Sequence, residues 1–369
     1  MIYLDYAANY PVKKEVLDYM SKVELAYFGN ANSIHSLGKR SYQKFESMDN
    51  HIKNMLNLNS FYEIVYTSSA TESNNLAIKG IAKTYSGFGK HILVSPYEHS
   101  SVNSALATLK DSGFEIEFLN LDKDGHIDLE KLDKQIRNDT ILVVTIFVES
   151  EAGIINDVKS INEIVSKHKN CHHLVDATQG IFKEHLDLNK LELVSFTPHK
   201  FGGLVGTGCL IKKKSTILYP LINGGKSSSI YRAGSIPLGL IATIEKSIEL
   251  EICEIDKNNK IVKELHDYLI EKLKEIKEVE INSTSFPYII NISIKNIKAS
   301  LSCAYLDNEG ICVSQKSACS ITNTPSKTIM ALYNNKARAM SSFRISLSSL
   351  TRKEEIDTLI VKLGGLING

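Results

Sequence analysis

The sequence predicts an α/β protein built on a mostly parallel sheet that helices cover on both faces. Two observations lead to this prediction. Short apolar runs rich in β-branched residues recur along the chain, and segments with apolar residues at helical spacing lie between them. Strands that alternate with helices run parallel, because each helix crosses over the sheet and returns the chain to the same edge.

The elements of this α/β pattern can be placed in order along the first two thirds of the chain. Strands are predicted over residues 63–67, 91–95, 115–119, 141–148, 172–176, 193–197 and 208–211. Helices are predicted between them, over residues 72–84, 100–112, 129–138 and 158–169.

The pattern changes at Pro237, where a long helical stretch over 237–278 begins. Strands at 288–294, 311–314 and 343–347 follow, and then a final helix over 351–363. This last helix opens with Thr351-Arg-Lys-Glu354, the spacing of a capping box. We therefore expect a domain boundary near Leu240, with a large domain over 13–240 and a smaller α+β domain over 241–369. The total of 369 residues suits two domains.

Composition argues against several classes of partner. The chain has 43 Lys plus Arg and 42 Asp plus Glu, a net charge of +1, which gives no support for a stable nucleic-acid partner or an acidic membrane surface. Its longest apolar runs are far shorter than the roughly 20 residues of a membrane span. The N-terminus lacks the basic and apolar regions of a signal peptide, so we expect a cytoplasmic protein with no membrane partner.

The six cysteines are dispersed, without a C-x-x-C pair, which argues against a zinc site, an iron–sulfur cluster site and a disulfide framework. We expect no metal site. Any one of these cysteines is expected to be a small buried apolar residue.

Three segments could carry chemistry. In Val65-Tyr-Thr-Ser-Ser-Ala-Thr-Glu-Ser-Asn74 a strand leads through small hydroxylated residues into a helix, whose N-terminus could bind phosphate; Ser69 and Glu72 could equally form a capping box. Asp176 ends a strand where α/β sheets place their ligands. After another strand, Pro198 leaves His199 and Lys200 at the rim of the sheet.

Each of these signals is weak alone, but together they match the needs of pyridoxal 5'-phosphate. That cofactor requires an anion cradle, a carboxylate partner for its ring nitrogen and a lysine amine for a Schiff base. The combination predicts a pyridoxal phosphate enzyme.

Several motifs extend this prediction to a family. The chain resembles the class V aminotransferases, which are fold type I pyridoxal phosphate transferases, and within them the cysteine desulfurases. The resemblance runs nearly from end to end, and the motifs that carry it are Tyr3-Leu-Asp-Tyr-Ala-Ala, Phe28-Gly-Asn-Ala-Asn-Ser, Thr67-Ser-Ser-Ala-Thr-Glu-Ser-Asn-Asn-Leu-Ala-Ile-Lys-Gly80, Glu98-His99, Val175-Asp-Ala-Thr-Gln179, His199-Lys200, Arg232-Ala-Gly-Ser-Ile-Pro237, Ser317-Ala-Cys-Ser320 and Ser341-Ser-Phe-Arg-Ile-Ser346. It also implies that residues 1–12 pack with the small domain.

The resemblance implies a role for each matching residue. Lys200 would bind the cofactor covalently and then remove the substrate's Cα proton, while His99 would stack on the ring and assist proton transfer. The remaining cofactor contacts would come from Asp176 to the ring nitrogen, from Gln179 to the phenolic oxygen, from Ala70, Thr71, Thr197 and His199 to the phosphate, and from Ser235 to a phosphate across a homodimer interface. Arg344 would bind the substrate carboxylate, for which a guanidinium is well suited.

Cys319 distinguishes desulfuration from transamination in this resemblance. It lies in Ser317-Ala-Cys-Ser-Ile-Thr-Asn-Thr-Pro325, which reads as a mobile loop. Its thiolate would take sulfur from L-cysteine, release L-alanine and pass the persulfide to an acceptor protein, as in iron–sulfur cluster biogenesis. The acceptor itself is not specified by the sequence.

Four departures from the family pattern leave alternatives open. Ser150, in Glu149-Ser-Glu-Ala-Gly153, replaces an asparagine expected to touch cofactor and substrate carboxylate. Ser227-Ser-Ser229 replaces a charged run, and Lys316 replaces a glycine. The chain ends at Gly369, before the tail with which some relatives recruit a scaffold. The alternatives are a lyase or aminotransferase for another amino acid, and a catalytically impaired homologue that acts as a binding partner.

Overall fold

A mixed, mostly parallel sheet organises the larger part of the molecule. The structure, a computed structural model, describes residues 1–225, 227–283, 286–316 and 324–369. Within these residues the sheet has seven strands in the order β2-β8-β7-β6-β5-β3-β4. These strands are β2 (Tyr62–Thr67), β3 (His91–Val94), β4 (Glu115–Phe118), β5 (Thr140–Ile146), β6 (His172–Asp176), β7 (Leu193–Phe196) and β8 (Gly208–Lys213). Only β8 runs antiparallel to its neighbours, β2 and β7, so the predicted fold class is confirmed.

Helices cover this sheet on both faces. They are α1 (Lys14–Ala26), α2 (Ser36–Met55), α3 (Ala70–Tyr85), α4 (Ser100–Lys110), α5 (Leu129–Gln135) and α6 (Val158–Val165). Apolar side chains of α3, among them Leu76 and Ile81, are fully buried in one cluster with Val65 of β2 and Leu210 of β8. The periodic apolar residues in the sequence thus face the sheet, as the spacing predicts.

The C-terminal third carries two smaller sheets. A three-stranded antiparallel sheet has the order β12-β10-β9 within the described residues, and β1 pairs in parallel with β11. The elements are β1 (Ile2–Tyr3), α7 (Leu238–Lys274), β9 (Val279–Ile281), β10 (Ile289–Ile294), α8 (Ala299–Asn308), β11 (Ile311–Cys312), α9 (Lys327–Tyr333), α10 (Lys336–Ser341), β12 (Ser342–Ser346) and α11 (Lys353–Asn368). Because β1 pairs with β11, the N-terminus lies against the C-terminal part of the chain.

The boundary expected near Leu240 falls in the first turn of α7, which continues unbroken for 37 residues. The N-terminal half of α7 packs against α1 and α2, and a part nearer its C-terminus contacts β9 and α11. The division into domains at this point therefore stays a prediction.

Two local expectations need correction. The capping box of α11 begins one residue later than predicted, since Glu355 accepts a hydrogen bond from the Arg352 N–H at 2.8 Å. The Thr351 hydroxyl instead accepts a hydrogen bond from the Ser348 N–H. Of the five described cysteines, all free, Cys171 and Cys209 are buried as predicted, whereas Cys303 and Cys312 are only partly buried and Cys253, on α7, is exposed.

Candidate active site

A cavity of 230 Å³ lies at the carboxyl ends of β5, β6 and β7, where Ile146, Asp176 and Thr197 border it. Parallel α/β sheets place their ligands at this edge. Ten of the twelve residues that the sequence singled out line it, namely Ala70, Thr71, His99, Ser150, Asp176, Gln179, Thr197, His199, Lys200 and Arg344. Ala7, Ala8, Ser69, Ser101, Ile146 and Thr178 complete the lining.

Lys200 presents its amine to this cavity from the short helical turn Pro198–Lys200. Its Nζ donates hydrogen bonds to the carbonyl oxygens of Ala7, at 3.0 Å, and Ala8, at 2.6 Å. The amine is thus held by the main chain of the N-terminal segment, although nearly two hundred residues separate them.

Asp176 is almost completely buried and accepts two hydrogen bonds. Asn74 Nδ2 donates to one carboxylate oxygen at 2.8 Å, and the Thr178 N–H donates to the other at 3.0 Å. Asn74 is itself oriented by the Ser195 hydroxyl, which donates to its Oδ1. Both carboxylate oxygens thus face a fixed donor, which sets the orientation of this acidic side chain at one end of the cavity.

The N-terminus of α3 lies at another side of the cavity. Ser69 caps it by accepting the Glu72 N–H at 3.1 Å, and the Glu72 carboxylate accepts the Ser68 N–H at 2.7 Å. Ser69 therefore caps the helix as predicted, but Glu72 accepts from Ser68 and not from Ser69, so the capping box is incomplete. Ala70 and Thr71 still line the cavity. The first N–H groups of a helix have no partner within it and attract anions.

Close approach of two backbone segments shapes this helix start. A Cβ built on Gly208, the first residue of β8, would lie 2.4 Å from the carbonyl carbon of Ser69. Only glycine leaves room there for the turn that leads into α3.

Two histidines border the cavity, and both have a lowered pKa. Burial lowers the pKa of His99, and its Nδ1 accepts the Ser101 N–H at 3.1 Å, which leaves Nε2 as the protonated nitrogen. Burial, together with the nearby Lys200 and Lys183, lowers the pKa of His199 to about 4. Its Nδ1 lies 2.8 Å from the Thr197 hydroxyl.

Among the described residues, two buried oxygen atoms at the cavity have no hydrogen-bond partner. Gln179 donates through Nε2 to the Ala7 carbonyl at 2.8 Å, but its Oε1 and the Thr178 hydroxyl have no hydrogen-bond partner in the part of the chain that the structure describes. Buried polar groups are nearly always satisfied. Together with the N-terminus of α3 and Asp176, these oxygens fit a polar ligand that has an anionic group near α3 and a protonated nitrogen near Asp176.

Arg344 of β12 is 1% exposed and lines the same cavity. It donates through Nη2 to Asp5 Oδ1 and through Nη1 to the Ser150 carbonyl, both at 2.8 Å. Its Nε has no hydrogen-bond partner among the described residues. Ser150 thus orients Arg344 through its main chain, a contact that any residue at this position could make.

Two further residues were predicted for the site. Ser235 is exposed and does not line the cavity. Cys319 lies outside the described residues.

Sequence reasoning assigned no role to Asp5, Ala7, Ala8 or Asn74. All four belong to the motifs that carry the family resemblance, and this was the signal that could have pointed to them. Ala7 and Ala8 act through carbonyl oxygens, which side-chain chemistry does not reveal.

The fold and site define a class of protein. The family model of the class-V aminotransferases matches residues 2–359, and the chain belongs to that family. Its members are pyridoxal phosphate enzymes, and the similar proteins within it are cysteine desulfurases. The chain is 36% identical to the cysteine desulfurase IscS of Dictyoglomus turgidum over 96% of its own length and 92% of the relative's. It is 34% identical to the mitochondrial cysteine desulfurase of Saccharomyces cerevisiae over 97% of its own length and 73% of the relative's.

Solved structures agree with this assignment. A NifS-like protein superposes with a TM-score of 0.91 at 28% identity and covers 100% of this chain and 99% of its own. SspA in complex with cysteine superposes with a TM-score of 0.80 at 26% identity over 95% of this chain and 100% of its own. The resemblance inferred from the motifs is confirmed. No helix in the described residues is both long and apolar enough to span a membrane.

Proposed function

We propose that the protein is a cysteine desulfurase that holds pyridoxal 5'-phosphate in the cavity and converts L-cysteine to L-alanine. The observation that carries the proposal is the meeting of Lys200, Asp176 and the N-terminus of α3 in one cavity. SspA, the relative solved with cysteine, supports the choice of substrate. The cofactor, when bound, supplies an electron sink that makes the substrate's Cα proton acidic.

The residues that hold the cofactor follow from their chemistry. The first N–H groups of α3, with Thr197 and His199, bind the phosphate, and an anion there offsets the positive charge of Lys200 and Lys183 that lowers the pKa of His199. Asp176 keeps the ring nitrogen protonated. The Gln179 amide lies among the lining residues for a contact with the phenolic oxygen.

Proton transfer is the task of Lys200 and His99. Lys200 Nζ removes the Cα proton, and the carbonyls of Ala7 and Ala8 hold the amine in place while it does so. The neutral His99 ring, whose Nδ1 is engaged by the Ser101 N–H, offers its Nε2–H as a hydrogen-bond donor and so assists the proton transfer by Lys200.

Sulfur transfer requires a nucleophile, for which we propose Cys319. Its thiolate attacks the substrate sulfur, the bond from Cβ to sulfur breaks and an S–S bond forms on the enzyme. The substrate Cβ takes up a proton, and the proton that Lys200 removed returns to Cα, which gives L-alanine. An acceptor protein then receives the outer sulfur atom of this persulfide.

A homodimer completes the site in this proposal, with Ser235 reaching the partner's phosphate. Ser235 is exposed, and Ile222 and Ile230, in the segment that precedes it, are 42% and 83% exposed. Apolar side chains left in contact with solvent favour burial against a second subunit. The cytoplasmic location stays a prediction from the sequence.

The decisive experiment measures L-alanine and sulfide released from L-cysteine in the presence of a reductant. We expect both products from the wild type, loss of sulfide release in Cys319→Ala, and near-normal release in Cys312→Ala as the matched control. Equal alanine release by wild type and Cys319→Ala would refute the persulfide role. Turnover of another amino acid but not of L-cysteine would refute the desulfurase proposal.

A further inference from the structure

Asp5 joins three parts of the structure that are far apart in the chain. Its Oδ1 accepts a hydrogen bond from Arg344 Nη2 at 2.8 Å, and its Oδ2 accepts one from the Ser314 hydroxyl at 2.7 Å. Ser314 and Arg344 are also paired through their main chains, with N–H to carbonyl distances of 3.2 and 2.7 Å. Asp5, Ser314 and Arg344 thus form one closed hydrogen-bonded unit, which we call the Asp5 triad.

The two charged side chains of the Asp5 triad are largely buried. The Arg344 side chain is 1% exposed and the Asp5 side chain 16%. A buried guanidinium requires a compensating anion, since desolvation of an unpaired charge is costly. Asp5 supplies it, and its second oxygen is held by Ser314, so the carboxylate has a single orientation.

The guanidinium retains unused donors. Of its five N–H groups, the structure engages one on Nη1 and one on Nη2, whereas Nε has no hydrogen-bond partner in the described residues. An unsatisfied buried donor is unfavourable. An incoming carboxylate can bind at Nε and an adjacent amino group without displacing Asp5.

We propose that Asp5 is a positioning residue for substrate recognition, which orients Arg344 so that its free edge receives the α-carboxylate of an amino acid. This inference rests on the proposed function, in which Arg344 binds that carboxylate. Three residues further along, Ala8 holds the Lys200 amine through its carbonyl. The segment Asp5 to Ala8 therefore sets the position of the carboxylate-binding group and of the base relative to each other.

The test compares two ligands that differ only in the carboxylate, L-alanine and ethylamine. Each is titrated into the cofactor-loaded protein, and its dissociation constant is read from the change in cofactor absorbance. In Asp5→Asn the hydrogen bonds can partly remain but the charge is lost. We expect the dissociation constant for L-alanine to rise about tenfold and that for ethylamine to stay within about twofold.

Ser314→Ala serves as a milder variant, should Asp5→Asn fail to fold. It leaves Asp5 charged but less constrained, so we expect an increase of about threefold for L-alanine alone. When Asp5→Asn is added to Arg344→Lys, the dissociation constant for L-alanine should change little further, because both substitutions act on the same contact with the carboxylate.

Several results would overturn the inference. Equal weakening of both ligands would mean that Asp5 is merely structural, and unchanged L-alanine binding would mean that it does not orient Arg344. If the wild type binds L-alanine no better than ethylamine, the role of Arg344 in the proposed function fails, an outcome visible without any Asp5 variant.

Discussion

Asn74 on α3 donates a hydrogen bond of 2.8 Å to the carboxylate of Asp176 at the end of β6. Asn74 is in turn held by the Ser195 hydroxyl. Among the described residues that line the cavity, Asp176 is the only carboxylate. Asn74 therefore fixes the direction in which this carboxylate meets the ring nitrogen of the proposed cofactor.

Replacing Asn74 by Ala should therefore slow turnover of L-cysteine by about tenfold, since Asp176 loses a hydrogen bond that holds its carboxylate in place. Asp176→Asn, which removes the charge altogether, should slow it by about a hundredfold or more. Steady-state rates with saturating cofactor measure both effects. Asn54→Ala, at an exposed position on α2, is the control and should leave the rate unchanged. An Asn74→Ala rate equal to that of the wild type would contradict this prediction.

Lys200 has a chemical rival in Lys183, because burial lowers the pKa of Lys183 to about 8 and so makes its amine more nucleophilic. Lys183, however, is not among the residues that line the cavity with Asp176; it borders a smaller neighbouring pocket, to which Lys200 also contributes. We expect borohydride reduction to fix the cofactor to the peptide that contains Lys200, as read by mass spectrometry. Lys200→Ala should lose this adduct and Lys183→Met should retain it; the reverse pattern would show that the lysine assignment is wrong.

Gly208 leaves the space into which the turn before α3 fits. A Gly208→Ala methyl group must displace the backbone of Ser69, so the N–H groups of α3 should move away from the phosphate. We expect cofactor affinity to fall by about tenfold or more, measured by titration of the apoprotein. Gly87→Ala, where an added Cβ meets no atom within 4 Å, is the matched control. Equal affinity in the two variants would argue against phosphate binding at this turn.

Burial raises the pKa of Glu98, beside His99, to about 8. An unfolded glutamate titrates near 4.5, so between these values the folded protein binds the proton that the unfolded chain has lost. Stability from this group is consequently present at low pH and is lost as the pH rises towards 8. Glu98→Gln keeps a neutral side chain at every pH. The variant should gain stability over the wild type between pH 5 and 8.5, on the order of 3 kcal/mol.

Urea unfolding at these two pH values measures the gain. Glu163→Gln, at an exposed position on α6, is the control and should show almost no pH-dependent difference. A stability difference between Glu98→Gln and wild type that does not change with pH would refute a titrating Glu98.

Much of the fold was accessible from local patterns in the chain. Strand β6 begins and ends where predicted, at His172 and Asp176, and the other predicted strands of the large sheet differ at their ends by at most two residues. The predicted helix over 129–138 ends at Gln135, since Ile136 takes up an extended conformation. The ends of helices depend on contacts beyond the periodic segment, which explains why they are the less accurate part of the sequence-based prediction.

The sequence by itself determined the order of strands and helices, the fold class and most of the residues that line the cavity, because hydrophobic periodicity and motifs are local properties. Only the tertiary structure decided how these residues are held. Asp5 reaches Arg344 across 339 positions, and Lys200 is bound by the carbonyl groups of Ala7 and Ala8. Such contacts arise when β1 pairs with β11 and brings the N-terminus to the site. Because every residue has a main-chain carbonyl, no pattern of side chains could have predicted that Ala7 and Ala8 bind the Lys200 amine.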